Sequence, residues 1–139
     1  NYCNSFLVDG SIVSPLICYE SVYGEMNLGK TNLLAIITND GWWKNTAGYK
    51  QHFSYSKLRA IEQKRAVVRC ANTGISGFIN PLGEAGEIAK WDEKKVIKSQ
   101  VAICNTVTFY NQFGDYLGRI SSFISSIFIL MIFVKSKVK

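Results

Sequence analysis

A chain of 139 residues with 47% hydrophobic and 19% charged content can bury a core, which excludes disorder and predicts one globular domain. The formal charge of +6 favours anionic partners, either nucleic acid or phospholipid. Because Lys135, Lys137 and Lys139 directly follow a very apolar run, the excess reads as a membrane flank, and no nucleic-acid partner is expected.

The four cysteines (Cys3, Cys18, Cys70, Cys104) are widely spaced and form no Cys-x-x-Cys pair, and the chain has one histidine. Metal binding is not expected, and no other cofactor is implied. A disulfide framework is not needed at this length, although one pair could bond in an oxidising compartment. The chain starts without methionine, close to a core strand, and shows no signal peptide, which reads as a piece of a longer protein.

In chain order, residues 12–17 form a β-rich apolar run after the turn pair Asp9 and Gly10, ending at Cys18 with Glu20 two residues on. Residues 20–30, with Gly24 and Gly29, suit a loop or short helix. Residues 33–38 are a continuous apolar run suited to a strand buried on both faces, and Asn39, Asp40 and Gly41 then mark a turn before Trp42 and Trp43. Residues 49–65 predict the clearest helix. Phe53, Ala60 and Ile61, with Leu58 nearby, make its apolar side and leave Lys57, Arg59, Glu62, Lys64 and Arg65 for solvent or polar partners. Strands follow at 66–70, 75–80 and 96–103, the second antiparallel to the first across Asn72, Thr73 and Gly74. The class is α/β, with helices packed on a mixed sheet.

Residues 120–134 are fifteen residues without a charge. At 1.5 Å per residue they reach about 22 Å, and extension back through Tyr116 and forward to Lys135 closes the gap to a hydrocarbon core of roughly 30 Å. Apolar residues run all the way round, which favours a transmembrane helix over a buried one. Ser121 with Ser125, and Ser122 with Ser126, are small residues four apart that allow close helix approach. Lysines after the span, against Arg119 before it, place the C-terminus in the cytoplasm. The predicted divisions are 1–115, 116–135 and a basic tail, 136–139.

Three clusters carry possible chemistry: Cys18, Tyr19 and Glu20; the 39–43 turn with Gln51 and His52; and Arg59 to Glu62 with Arg69 to Ile75. Each also has a plain structural reading. Cys18 alone reads as a small buried apolar residue, the tryptophans as core, Arg59 and Glu62 as a solvated pair, and 72–74 as a turn. Together, in order, ICYE at 17–20, ITNDGWW at 37–43, QHF at 51–53, LRAIE at 58–62 and ANTGIS at 71–76 resemble the carbon–nitrogen hydrolase (nitrilase) superfamily. The apolar helix after them is similar to its integral-membrane branch, the apolipoprotein N-acyltransferases.

The resemblance implies part of an αββα sandwich followed by one transmembrane helix, in a bacterial inner membrane with the domain on the periplasmic side. It implies a Glu-Lys-Cys site in which Cys18 is the nucleophile, with the glutamate and lysine upstream of Asn1. Without them the 139 residues alone are expected to be inactive, and the partner is the missing N-terminal half. Acyl transfer would run from a phospholipid donor, through a Cys18 thioester, to the amino group of a diacylglyceryl apolipoprotein acceptor. A thiolate suits this because it is a strong nucleophile and its thioester reacts readily with amines. The Tyr19 backbone N–H would help hold the oxyanion, Glu20 would support the site, and Trp42 and Trp43 would face the acyl chain or membrane interface. His52 reads as structural. Lys44 departs from the glycine usual in relatives. The alternatives are an amidase or nitrilase of the same superfamily, and a catalytically incomplete membrane-anchored module.

Overall fold

A computed structural model describes residues 5–27 and 29–137; Cys3 and Lys139 lie outside the described residues. Six strands form one mixed sheet in sequence order: β1 (Phe6–Val8), β2 (Ser11–Ile17), β3 (Leu33–Thr38), β4 (Ala66–Ala71), β5 (Ser76–Ile79) and β6 (Ala85–Ala89). Strands β2, β3 and β4 run parallel, and β1, β5 and β6 flank them as antiparallel neighbours. Parallel neighbours need crossovers. The first is residues 18–32, carrying two short 3₁₀ turns, Cys18–Val22 and Gly24–Asn27. The second contains a 3₁₀ turn, Asp40–Trp43, and helix α1 (Ala47–Gln63). Both crossovers therefore leave from the C-terminal edge of the parallel strands, where sites on α/β sheets assemble.

Leu16, Leu34, Ile36, Val67 and Ile79 from the sheet pack with Phe53 and Ala60 of α1 to make the core. The other sheet face is open among the described residues. Ile17, Ile37 and Cys70 are neighbours across β2, β3 and β4, and all three are exposed, Ile37 by 56%. The expectation that 33–38 is buried on both faces thus holds for one face, because no described element covers the second.

Helix α1 begins two residues earlier than its pattern suggested. Its Thr46 cap accepts from Gly48 N, and it ends at Lys64 in the left-handed region with φ 52°. Its buried face is Tyr49, His52, Phe53, Ser56, Arg59, Ala60 and Gln63, while Leu58 and Ile61 are partly exposed. The helical period holds and its phase holds in part: Phe53 and Ala60 are buried as expected, Leu58 and Ile61 are exposed, and Arg59, expected to meet solvent or a polar partner, is 4% exposed and donates to Glu62. A face rich in His, Ser, Arg and Gln hides from any search for apolar stripes.

Two further differences concern strands. Residues 96–103 form none, and Val96 is 96% exposed. Just after this stretch, residues 105–108 are fastened by individual polar contacts: Asn32 to Asn105, Arg65 to the Thr106 carbonyl, and Thr108 to the Glu62 carbonyl. The sheet position next to β5 is taken instead by β6, whose Ala and Gly content conceals it, through the 81–84 turn. At the N-terminus, β1 pairs with β2 across Asp9 and Gly10, so the turn signal belongs to a hairpin.

Helix α2 (Phe109–Phe113) is short, and α3 (Tyr116–Lys137) is 22 residues long. Its Tyr116–Lys135 stretch has a mean hydropathy of 2.0 and none of it is buried. Twenty residues span about 30 Å at 1.5 Å per residue, the thickness of a hydrocarbon core. Ser126 Oγ donates to the Ser122 carbonyl at 2.8 Å, so its hydroxyl is satisfied within the helix.

Candidate active site

Cys18 sits where β2 breaks into a 3₁₀ turn, with φ at +51°. A non-glycine residue in the left-handed region costs about 1–2 kcal/mol, so something must hold it there. Glu20 Oε2 accepts from Ile17 N at 2.7 Å and closes the turn. On the other side the Cys18 carbonyl is fixed by Ser21 Oγ, which donates at 2.8 Å, and lies 3.2 Å from His52 Nε2. A sharp strand-to-helix turn of this kind displays its side chain at the sheet edge.

The sulfur itself lies 3.3 Å from Thr38 Oγ1. Register explains the meeting: Ile17 pairs with Ile37, so the next residues of the two parallel strands are Cys18 and Thr38. Two residues beyond Thr38 is Asp40, fully buried. Asp40 Oδ1 accepts from Thr38 Oγ1 and from His52 Nδ1, both at 2.9 Å, and Oδ2 accepts from Arg69 Nη2 at 2.7 Å. Because the carboxylate can only accept, His52 Nδ1 carries a hydrogen here. Arg69 also donates to Ser56 Oγ at 2.9 Å and to the Ile75 carbonyl at 3.1 Å.

Gly74 makes this arrangement possible. A Cβ there would fall 2.1 Å from Asp40 Oδ2, so the 72–74 turn is a close approach to the carboxylate as well as a turn. Burial alone would raise the Asp40 carboxyl. The His52 hydrogen bond, the Arg69 charge and the Thr38 hydroxyl outweigh it and hold the group below the usual carboxylate range. Burial pulls the Arg69 guanidinium below its ordinary value, and Asp40 opposes that.

The structure brings Cys18, Tyr19 and Trp43 together around the His52 ring, with centroids 6.2 Å from Tyr19 and 4.9 Å from Trp43. Trp43 is seated by Gly48, whose missing Cβ would lie 2.6 Å from the indole. Glu20 is turned to the backbone of Ile17, and Trp42 is 81% exposed. His52 is buried and hydrogen-bonded, as its structural reading implies. Ser21 and Ser56 escaped the sequence reading, whereas Thr38, Asp40 and Arg69 fell inside its motifs without a role of their own. One signal was available: Arg69 lies two residues after buried Val67 in β4, the phase of a core-facing position.

Lys44 closes the Asp40–Trp43 turn with φ 50° and ψ −164°, backbone that favours glycine. The departure noted from sequence is therefore a strained position, exposed at the end of the loop that delivers Asp40.

The family model for carbon-nitrogen hydrolase matches residues 4–109. Among curated relatives, the apolipoprotein N-acyltransferase of Chlorobaculum tepidum is 31% identical over 90% of this chain, and that of Rickettsia prowazekii 33% over 86%. The Agrobacterium fabrum apolipoprotein N-acyltransferase is 48% identical over 55% of the chain. The chain spans about a quarter of the length of the first two, 24% in each case. Solved structures agree on the fold. A Saccharomyces cerevisiae protein of nitrilase-superfamily branch 10 aligns with a TM-score of 0.58 at 16% identity, covering 68% of this chain and 39% of its own. An amidase from Nesterenkonia sp., in which acrylamide has added to the active-site cysteine, aligns at 0.53 with 16% identity, covering 68% and 41%. With a family match over most of its length and a six-stranded α/β sheet of nitrilase type, the chain belongs to the carbon–nitrogen hydrolase family.

Proposed function

We propose that this chain carries the nucleophile and the membrane helix of an apolipoprotein N-acyltransferase. The observation that carries the reading is a cysteine held at positive φ on the sheet's C-terminal edge, in the same chain as a bare apolar helix of bilayer length. Cys18 Sγ attacks the ester carbonyl of a phospholipid acyl chain. The new C–S bond replaces the ester C–O bond, and the lysophospholipid leaves with a proton. The amino group of a diacylglyceryl-cysteine lipoprotein then attacks the thioester, forming the amide and returning the thiol. The Tyr19 backbone N–H contributes to the oxyanion site, and Glu20 keeps the nucleophile turn in shape through Ile17. Trp43 borders the site, and exposed Trp42 suits an acyl chain or the bilayer interface.

Among the described residues, the one hydrogen-bond partner of the sulfur is Thr38, and no carboxylate or lysine bonds to it. A general base and a cationic oxyanion group therefore come from another segment, the same that covers Ile17, Ile37 and Cys70 on the open sheet face as a second layer. Residues 1–115 form the domain on the periplasmic side of the bacterial inner membrane, 116–135 the span, and 136–139 the cytoplasmic tail.

The test is a chimaera in which this chain replaces the matching stretch of the Chlorobaculum tepidum relative. It is expected to transfer acyl groups from phospholipid vesicles to a diacylglyceryl-cysteine peptide, whereas the 139-residue chain alone transfers none. A stable, membrane-inserted chimaera without transfer contradicts the reading. An amidase-type hydrolase would instead release ammonia from amides, and a chain partitioning into the aqueous phase of a detergent separation would exclude the membrane branch.

A further inference from the structure

We propose that Thr38 is the hydrogen-bond donor that holds the Cys18 sulfur in its charged, attack-ready form, with Asp40 as the acceptor on which the same hydroxyl rests when the sulfur is protonated. The proposal rests on the reading of Cys18 as nucleophile and deepens it. A threonine hydroxyl has one hydrogen, and this one has two acceptors in reach: Sγ at 3.3 Å and Asp40 Oδ1 at 2.9 Å. It cannot serve both. Thr38 is 6% exposed, so water competes little for it.

The rest of the cluster makes the exchange easy. When the hydroxyl turns to sulfur, Asp40 still has His52 Nδ1 and Arg69 Nη2, so no buried carboxylate oxygen is orphaned. When the sulfur is protonated, the hydroxyl returns to Asp40, and Thr38 Oγ1 is free to accept from the S–H. The movement is a rotation about the Thr38 C–O bond, and no covalent bond is made or broken.

Charge sets the preference. Asp40 opposes a second negative charge nearby. Arg69, close enough to feel both Asp40 and Cys18, offsets it, and buried His52 stands between Asp40 and the Cys18 carbonyl. From the nucleophile's own turn, Glu20 is occupied by Ile17 N, and Tyr19 stacks towards His52. Thr38 is thus the group through which a buried, charge-balanced cluster reaches the sulfur, and Asp40 and Arg69 act as positioning residues behind it.

The experiment is alkylation of the 139-residue chain in detergent micelles with iodoacetamide at neutral pH, read at each cysteine by mass spectrometry. In Thr38→Val the Cys18 rate is expected to fall about three- to tenfold, because the attacking sulfur loses the hydrogen bond that holds and stabilises it. Thr38→Ser restores the donor and is expected within about twofold of the parent. Cys70 and Cys104 serve as internal references and keep their rates. If Thr38→Val does not fold, Thr38→Ala takes its place with the same criterion. A Cys18 rate in the hydroxyl-free variant equal to the parent overturns the proposal, as does equal slowing in Thr38→Ser. Failure of the nucleophile reading is seen separately: the chimaera would carry no phospholipid-derived acyl group on Cys18, whatever the alkylation rates.

Discussion

Helix α1 buries two polar clusters on one face, and they are built on opposite terms. Towards its N-terminal end, His52 and Ser56 join Asp40, Arg69 and Thr38 in a set where each carboxylate oxygen and each guanidinium nitrogen has a partner. Towards its C-terminal end, Arg59, Glu62 and Gln63 are buried with gaps. Arg59 Nη2 donates to Glu62 Oε1 at 3.2 Å, with Oε2 at 3.1 Å outside hydrogen-bonding geometry, and among the described residues Arg59 Nε and Nη1 and both ends of the Gln63 amide lack partners. The same helix, layer and period thus hold one cluster that organises and one that costs. An unsatisfied buried polar group costs about 1–3 kcal/mol, whereas a satisfied one fixes geometry. The satisfied cluster is the one beneath Cys18, the residue proposed as the nucleophile.

Removing the centre of the satisfied cluster gives the largest effect. Asp40→Ala leaves Arg69 as an uncompensated buried charge and should cost about 3–5 kcal/mol in unfolding free energy. A loss under 1 kcal/mol would mean the cluster is not the organising unit. Gly74→Ala attacks the same cluster by volume, since its Cβ would fall 2.1 Å from Asp40 Oδ2. About 1–3 kcal/mol is expected, together with slower Cys18 alkylation as Asp40 shifts.

The two clusters also oppose each other in pH. The folded Asp40 carboxyl lies below its ordinary 3.8, so its stabilisation is fully present above that value and is lost as pH falls through the lower folded one. Glu62 is pushed above its ordinary 4.5, chiefly by burial, against the pull of Arg59 and with Asp115 adding to the rise. Its contribution is present below 4.5 and is lost as pH rises through the folded value. Denaturant unfolding across pH should show the acid loss flattened in Asp40→Asn and the loss on the alkaline side of 4.5 flattened in Glu62→Gln.

Two smaller effects sharpen the contrast. Lys44→Gly relieves the positive φ at the loop delivering Asp40 and should raise stability by about 1–2 kcal/mol. Gln63→Met removes two orphaned groups and should be neutral or stabilising within about 1 kcal/mol, where a loss above 2 kcal/mol would reveal a partner for the amide.

Periodicity located most of this fold. The runs at β2, β3 and β4 were legible because strands of a parallel set are continuous and apolar, β5 because the 72–74 turn precedes it, and α3 because its apolar residues run all the way round a charge-free stretch. Strand β6 was not, since Ala85, Gly86 and Glu87 carry little β signal and pairing across a tight turn supplies what side chains do not. The site was half legible. Cys18 stood out through its neighbours in the motif order, but its positive φ, the register that brings Thr38 to the sulfur, and the burial of Asp40 under Gly74 are products of tertiary contact. Asn39, Asp40 and Gly41 looked like a turn and are one. That the turn's aspartate is the hub of a buried network is written in Arg69 and His52, which lie 29 and 12 residues away from it.

The most direct measurement is the mass of the Cys18 peptide after the chimaera has been incubated with phospholipid vesicles and no acceptor. An added acyl mass that hydroxylamine removes, and that is missing in Cys18→Ser, is the predicted result. An unmodified Cys18 peptide, or an acyl group carried on another residue, would contradict the assignment of Cys18 as the nucleophile.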